Sequence, residues 1–283
     1  MRLLAAFVMA LCLTASAQTA APPGLPPLPR LTSPRLYVLD CGTIISHEPE
    51  RFGLRREDVS DPDFSDPCFL VMHPRGVLLF DTGLTDAQVG RPIYENKNGY
   101  EGLLKTTTLK GELANIGLTP AAITYLAISH SHWDHVGNGN AYAGSTWLAR
   151  KAEYDVMFGP AANDAAKNNY AALAHAKIQY VEGDHDVFGD GSVVLLSTPG
   201  HTPGHQSLYV KLTNTGGVVV SGDLYHYPAE RAQGKMPARE YASGTPQSRK
   251  KIEDFLTRTQ SQLWIGHSID WYRDAVKAPG WYN

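Results

Sequence analysis

Apolar runs and turn residues divide the chain into many short strands and a few helices. The runs at 36–42 (LYVLDCG), 68–74 (CFLVMHP) and 76–83 (GVLLFDTG) read as strands, with Pro74-Arg75-Gly76 as the turn between the last two. A buried strand is expected at 122–129 (AITYLAIS), and further strands at 178–181, 193–197, 207–212, 217–222 and 262–267. Leu109, Leu113 and Ile116 fall at helical spacing, and Gly117 ends that helix. The alanine-rich stretches 149–157 and 161–175 read as helices. Residues 246–259 form a helix opened by Pro246, with Ile252, Phe255 and Leu256 on one face, and 270–277 form a last helix. Strands and helices intermix without a strict strand–helix–strand rhythm. This predicts two sheets with helices outside, as one α+β domain over residues 35–283.

The amino terminus has a different pattern. Arg2 precedes an apolar run from Leu3 to Thr14, and Ala15-Ser16-Ala17 supplies a small-residue cleavage site. This predicts a signal peptide over residues 1–17, since the run is too short to span a bilayer. Leu11 before Cys12 is not the small residue that lipoprotein processing wants. The proline-rich residues 18–34 read as an extended strap. The expected product is periplasmic or secreted, with no membrane attachment after signal removal.

Composition adds exclusions. Hydrophobic residues make up 43% and charged residues 19%, which excludes a disordered or collagen-like chain. The net charge is −3 and no basic cluster exceeds Arg249-Lys250-Lys251, so no nucleic-acid partner is expected. Cys41 and Cys68 sit beside strand-like runs and would either pair after export or remain buried thiols. The 11 histidines are unevenly placed.

His130-Ser131-His132-Trp133-Asp134-His135 directly follows the strand at 122–129. Alternate residues of an extended segment share a side, so His130 and His132 converge on one point. A turn then lets Asp134 and His135 reach a second. A lone histidine is more often structural, but four ligand-type side chains within six residues point to a transition metal. Three further strand ends carry Thr198-Pro199-Gly200-His201-Thr202-Pro203-Gly204-His205, Ser221-Gly222-Asp223 and Gly266-His267. Each is weak alone; in this order they describe one site assembled from four loops.

With these motifs and the Phe80-Asp81-Thr82-Gly83 turn, the chain resembles the metallo-β-lactamase-fold hydrolases over residues ~35–283, and within them the N-acyl homoserine lactone lactonases. The resemblance implies a four-layer αββα sandwich with two zinc ions at one edge, other divalent transition metals being alternatives. His130, His132 and His201 would hold the first ion, Asp134, His135 and His267 the second, and Asp223 would bridge them. Asp81 would steady the metal loop and His205 would supply a supporting hydrogen bond. His47, His73, His175 and His185 would be surface or core residues.

The implied reaction is attack of a metal-bridging hydroxide on an ester carbonyl, with Asp134 passing a proton to the leaving alkoxide. The substrate would be a small molecule, an N-acyl homoserine lactone, and the outcome quorum quenching. The lactonases place a tyrosine three residues after the bridging Asp; here that position is His226, flanked by Tyr225 and Tyr227. Catalytic roles are therefore assigned to Asp134, His226 and Tyr225. Competing readings are hydrolysis of another ester, a β-lactam or a phosphoester, and a mononuclear iron dioxygenase, against which the seven-ligand set argues. The segment 84–120, with Ile93, Tyr94, Tyr100, Leu103 and Leu104, would line a groove for an acyl tail, or else pack the sandwich or a homodimer contact.

Overall fold

The computed structural model describes residues 31–91, 102–160, 162 and 165–283. The expected signal peptide, residues 1–17, and most of the proline-rich stretch lie outside the described residues. The first strands, β1 (Arg35–Ile45), β2 (Phe64–His73) and β3 (Gly76–Phe80), form an antiparallel meander. β4 (Gly102–Leu104) adds to the free side of β1. β5 (Tyr125–Ala127), β6 (Thr146–Ala149) and β7 (Lys177–Tyr180) extend the other side in parallel. This seven-stranded sheet runs β4-β1-β2-β3-β5-β6-β7. The second sheet contains β8 (His185–Asp186), β9 (Val193–Ser197), β10 (Gln206–Leu212), β11 (Gly216–Val220) and β12 (Gln262–Trp264), in the order β12-β11-β10-β9-β8.

Both faces of β1, β2 and β3 are largely buried, so these strands read as apolar runs rather than alternating ones. Along β1, Leu36 and Val38 face the second sheet, where they meet Val193, Leu208, Val218 and Trp264. Tyr37 and Leu39 point the other way, toward Leu109 and Leu113 of α1 (Leu109–Asn115) and Met157 of α2 (Lys151–Phe158). Three short or long helices follow: α3 (Pro228–Gln233), α4 (Thr245–Thr259) and α5 (Ile269–Asp274). The second sheet's outer face, Leu196, Tyr209 and Val219, is covered by Ile252 and Leu256 of α4. The layering is the expected αββα sandwich. Cys41 and Cys68 form a disulfide that ties β1 to β2.

Several local expectations change. Residues 161–175 do not form one helix; the described part consists of 3-10 turns at Ala165–Asn169 and Ala171–His175. The Asn140 side chain takes the carbonyl of Asn168 and the amide of Ala172, the two groups that would pair in an α-helix. The helix expected at 149–157 starts at Lys151, because Ala149 completes β6 beside buried Trp147 and Leu148. The strand expected to reach His267 ends at Trp264, and a turn delivers His267 to the site.

These edges decide where the chemistry lies. β3, β5, β9, β11 and β12 end beside one another, and the loops leaving them carry Asp81, the 130–135 motif, His201, Asp223 and His267.

Candidate metal centre

Seven predicted ligands meet at that edge in two groups. His130, His132, His201 and Asp223 form one, and Asp134, His135 and His267 the other; within each, the ligand atoms lie within 4.8 Å of one another. Asp223 touches both. Its Oδ2 is 3.4 Å from Nε2 of His130 and of His201, while its Oδ1 is 3.1 Å from Nε2 of His135 and 3.2 Å from Nε2 of His267. Oδ2 of Asp134 lies 3.8 Å from His135 Nε2 and 3.7 Å from His267 Nε2.

The outer ring nitrogens are committed elsewhere. His135 Nδ1 meets Asp81 Oδ2 at 2.9 Å, His201 Nδ1 meets Glu240 Oε1 at 2.8 Å, and His267 Nδ1 meets the Ser65 carbonyl at 2.8 Å. Carboxylates and carbonyls only accept, so each Nδ1 carries the proton and each Nε2 turns a lone pair inward. His201 Nε2 then faces His132 Nδ1 at 2.9 Å, and His130 Nε2 faces the same atom at 2.8 Å. His135 Nε2 and Asp223 Oδ1 are buried without a hydrogen-bond partner. Acceptors crowded in this way fit cations, and imidazole with carboxylate is a donor set for divalent transition metals.

The electrostatics agree. Burial holds His130 and His201 well below the ordinary histidine value, so their rings stay neutral with lone pairs available to a metal. Burial also opposes charge on His135, yet Asp223, Asp81 and Asp134 outweigh it and draw positive charge to this point.

The loops are held by side chains outside the ligand set, Asp81 as expected and Glu153 in addition. Asp81 has φ of 65°, a left-handed backbone unusual outside glycine, and this lets Oδ1 accept from Ser129 N at 2.6 Å while Oδ2 serves His135. At Gly83, with φ of 63°, a Cβ would come within 2.2 Å of Cys41 Cβ, so only glycine fits this turn over the disulfide. Glu153 on α2 ties two metal loops together: it accepts from Ser131 N at 2.7 Å, Thr202 Oγ1 at 2.7 Å and Gly204 N at 2.9 Å. Glu153 and Glu240 are single acids remote in sequence from the histidines they serve, with no local signal to reveal them.

His226 reaches the site and Tyr225 does not. Residues 225–227 are extended, with φ/ψ of −142°/139° at Tyr225 and −117°/145° at Tyr227, so neighbours face opposite ways. His226 Nε2 lies 3.4 Å from Asp223 Oδ2. The Tyr225 hydroxyl instead donates to Glu253 Oε1 at 3.1 Å, its ring lies under the Arg249 guanidinium, and it packs with Ile252 and Leu256. The catalytic role expected for Tyr225 is thereby withdrawn. Tyr227 donates to the Pro62 carbonyl at 2.6 Å. His47 and His175 are exposed, His185 is half-buried, and His73 stacks on Phe188.

A cavity of about 300 Å³ opens over the cluster. His132, Asp134, His201, Asp223 and His267 form its floor, and Arg51, Phe52, Trp133, His226, Pro237 and Arg239 surround it. The described part of 84–120 does not line it: Leu103 is buried beside Phe52 and Leu84, and Leu104 points to solvent. Ile93, Tyr94 and Tyr100 lie outside the described residues. Among the described residues, no helix is long and apolar enough to cross a membrane.

Comparison with known proteins follows from this geometry. Residues 62–261 match the family model described as the metallo-beta-lactamase superfamily. The N-acyl homoserine lactonase AttM of Azorhizobium caulinodans is 26% identical, aligning with 89% of this chain and 100% of its own length. An N-acyl homoserine lactonase of Bacillus thuringiensis is 28% identical over 72% of this chain and 81% of its own. Among solved structures, an N-acyl homoserine lactone hydrolase with N-hexanoyl-L-homoserine at its catalytic metal centre superposes with TM-score 0.73 at 22% identity, covering 89% of this chain and all of that one. The dizinc quorum-quenching lactonase AidC gives TM-score 0.61 at 18% identity over 88% of this chain and 94% of its own. Both likenesses are of fold.

Proposed function

This chain belongs to the metallo-beta-lactamase superfamily, and from that premise we propose that it is a dinuclear zinc hydrolase opening the lactone ring of N-acyl homoserine lactones. The observation that carries the reading is Asp223, whose two oxygens face two separate sets of inward-turned imidazoles. The full-length match to AttM supports the substrate class. His130, His132 and His201 would hold one ion, Asp134, His135 and His267 the other, with Asp223 between them. Bound there, zinc supplies Lewis acidity and a water acidified to a pKa of about 7.

The chain's own groups divide the remaining work. Asp134 lines the cavity floor, where its carboxylate can take up the proton lost by the attacking water and then, as the acid, hand it to the leaving alkoxide oxygen. His226 is clamped between Phe52, 4.3 Å away, and His267, on which it stacks at 5.8 Å. Held in this way, its ring hydrogen-bonds the substrate at the position a tyrosine takes in the lactonases. Phe52, Trp133 and Pro237 give the acyl chain an apolar wall and keep water from it.

Export to the periplasm or outside the cell is part of the proposal. The Arg2, Leu3–Thr14 and Ala15-Ser16-Ala17 pattern supports it, as does the Cys41–Cys68 disulfide, a bond that persists in oxidising compartments.

The test is metal analysis of the purified protein together with proton release on adding N-hexanoyl homoserine lactone, run beside nitrocefin and a phosphodiester. Two zinc ions per chain and acid release from the lactone are expected. Turnover of nitrocefin with none of the lactone would overturn the substrate assignment, and a single metal at saturation would overturn the dinuclear one.

A further inference from the structure

The clamp on His226 fixes the plane of its ring and not which edge faces the site. Phe52 and His267 hold the ring between them, at 4.3 Å and 5.8 Å. Stacking does not tell nitrogen from carbon. A half-turn about the Cβ–Cγ bond would keep both contacts while exchanging Nδ1 for Cδ2 and Nε2 for Cε1. Only one of the two orientations turns Nε2 toward the cavity and Asp223 Oδ2, 3.4 Å away.

Behind the ring lies a buried ion pair that the metal ligands do not use. Glu230, the third residue of α3, is wholly buried and folds back on the chain before it. Its Oε2 accepts from the backbone N–H of His226 and, at 3.0 Å, from that of Tyr227. The same oxygen is 3.4 Å from His226 Nδ1. Its Oε1 accepts from Arg249 Nη2 at 3.0 Å. Arg249, on α4, also donates through Nε to the Leu224 carbonyl at 2.8 Å and through Nη1 to the Lys235 carbonyl. Its guanidinium lies 4.2 Å from the centre of the Tyr225 ring. The pair thus grips the chain on both sides of His226. Capping α3 requires the Tyr227 amide; it requires neither the His226 amide nor a buried arginine. His226 Nδ1 is buried and has no hydrogen bond among the described residues, a state that costs free energy. A carboxylate only accepts, so Nδ1 brings the hydrogen to the contact with Glu230. Hydrogen bonds of this kind are often long in a resting site and tighten when substrate binds.

We infer that Glu230, held in place by Arg249, is the positioning residue of His226: it selects the ring orientation that presents Nε2 to the substrate, through a bond to Nδ1 that closes as substrate binds. This role rests on the proposed contact between His226 and the substrate.

The experiment is a double-mutant cycle of Glu230→Gln and His226→Phe in the zinc-loaded protein, with N-hexanoyl homoserine lactone as substrate. Glutamine has one accepting and one donating end where Glu230 meets donors on both sides, so it cannot serve the ring and Arg249 together. Glu230→Gln is expected to lower kcat about 10–100-fold with KM changed less than about threefold, the pattern of a misplaced group that acts in the transition state. In the His226→Phe background the same substitution should change kcat less than about twofold. Equal losses in the two backgrounds would show that Glu230 only supports the fold, and would overturn the inference. Glu230→Asp keeps the charge and withdraws it from the ring by one methylene, so it should repeat this pattern if the amide variant folds poorly. A second readout needs no turnover. The imidazole N–H proton resonance that vanishes in His226→Phe should move upfield in the Glu230 variants, as loss of a carboxylate partner requires. An unchanged resonance would overturn the inference even if the lactone is opened. If the lactone is not opened, the lactonase reading falls and the resonance still decides the role of Glu230.

Discussion

The backbone N–H of Asp223 donates to Nε2 of His205 at 3.0 Å, while Nδ1 of that ring lies 3.0 Å from the Thr198 carbonyl. Both nitrogens are therefore engaged, and burial holds the ring's pKa at about 3, so it stays neutral and keeps accepting. Gly222 completes the arrangement: a Cβ there would come within 2.7 Å of His205 Nε2. His205 fixes the backbone of Asp223, and it is His201, four residues earlier, that joins His130, His132 and Asp223 in the candidate metal group.

His201→Ala and His205→Ala should accordingly differ in kind. Loss of His201 removes a donor from the first group, so metal analysis should show that ion missing and lactone opening abolished. Loss of His205 should leave both ions bound at saturation, with affinity or activity reduced about 10–100-fold. Equal metal loss in the two variants would mean that the roles of the pair are misassigned.

Glu240→Gln tests the carboxylate behind His201. The amide oxygen can still accept from Nδ1, but the negative charge that raises the ring's basicity is gone, so zinc affinity measured against a competing chelator should fall about 10-fold. Unchanged affinity would mean that Glu240 serves only to anchor its loop through Thr245.

The part of this site legible in the sequence is the part carried by consecutive residues. His130 to His135 lie within one strand exit, where alternation fixes the directions of the side chains. The same alternation, applied to 225–227, separates His226 from both tyrosines once the segment is known to be extended. Glu153 and Glu240 were not legible because an isolated acid becomes a metal-loop support only when tertiary folding brings it to its partner. The mouth residues Arg51, Phe52, Pro237 and Arg239 likewise come from two turns without any motif. The apolar runs of the strands are legible in the sequence, whereas the alanine-rich 161–175 has helical composition and nothing local shows that one remote side chain, Asn140, takes up its helical hydrogen-bonding groups.

Glu153→Ala should destabilise the fold as well as the site. It strands the Ser131 and Gly204 amides and the Thr202 hydroxyl, all buried or partly so around the metal loops. At roughly 1–3 kcal/mol for each unsatisfied donor, a loss of about 3 kcal/mol or more is expected in urea unfolding. A loss under about 1 kcal/mol would show that water replaces the carboxylate freely.

Replacing both Cys41 and Cys68 by alanine should also cost stability. The bond closes a loop with a sequence separation of 27 residues, for which loop-closure entropy gives about 3–4 kcal/mol. Since Cys41 lies against Gly83 in the turn that carries Asp81, metal affinity should weaken with it. Equal unfolding midpoints for the oxidised wild type and the double variant would argue against this contribution.

Substrate length is the last expectation. The wall of Phe52, Trp133 and Pro237 rises from the predicted ligands toward the mouth, in a cavity of about 300 Å³. An acyl chain lying on it leaves water progressively, and each buried methylene contributes up to ~0.8 kcal/mol, or about fourfold in kcat/KM where the burial persists in the transition state. The specificity constant should therefore rise from butanoyl to at least octanoyl homoserine lactone and level off where the chain passes the rim. Phe52→Leu keeps an apolar contact with the His226 ring but shortens the wall, so it should flatten the trend more than it lowers turnover of the butanoyl substrate. A flat profile in the wild-type enzyme would mean that these side chains pack the site and do not hold the acyl chain.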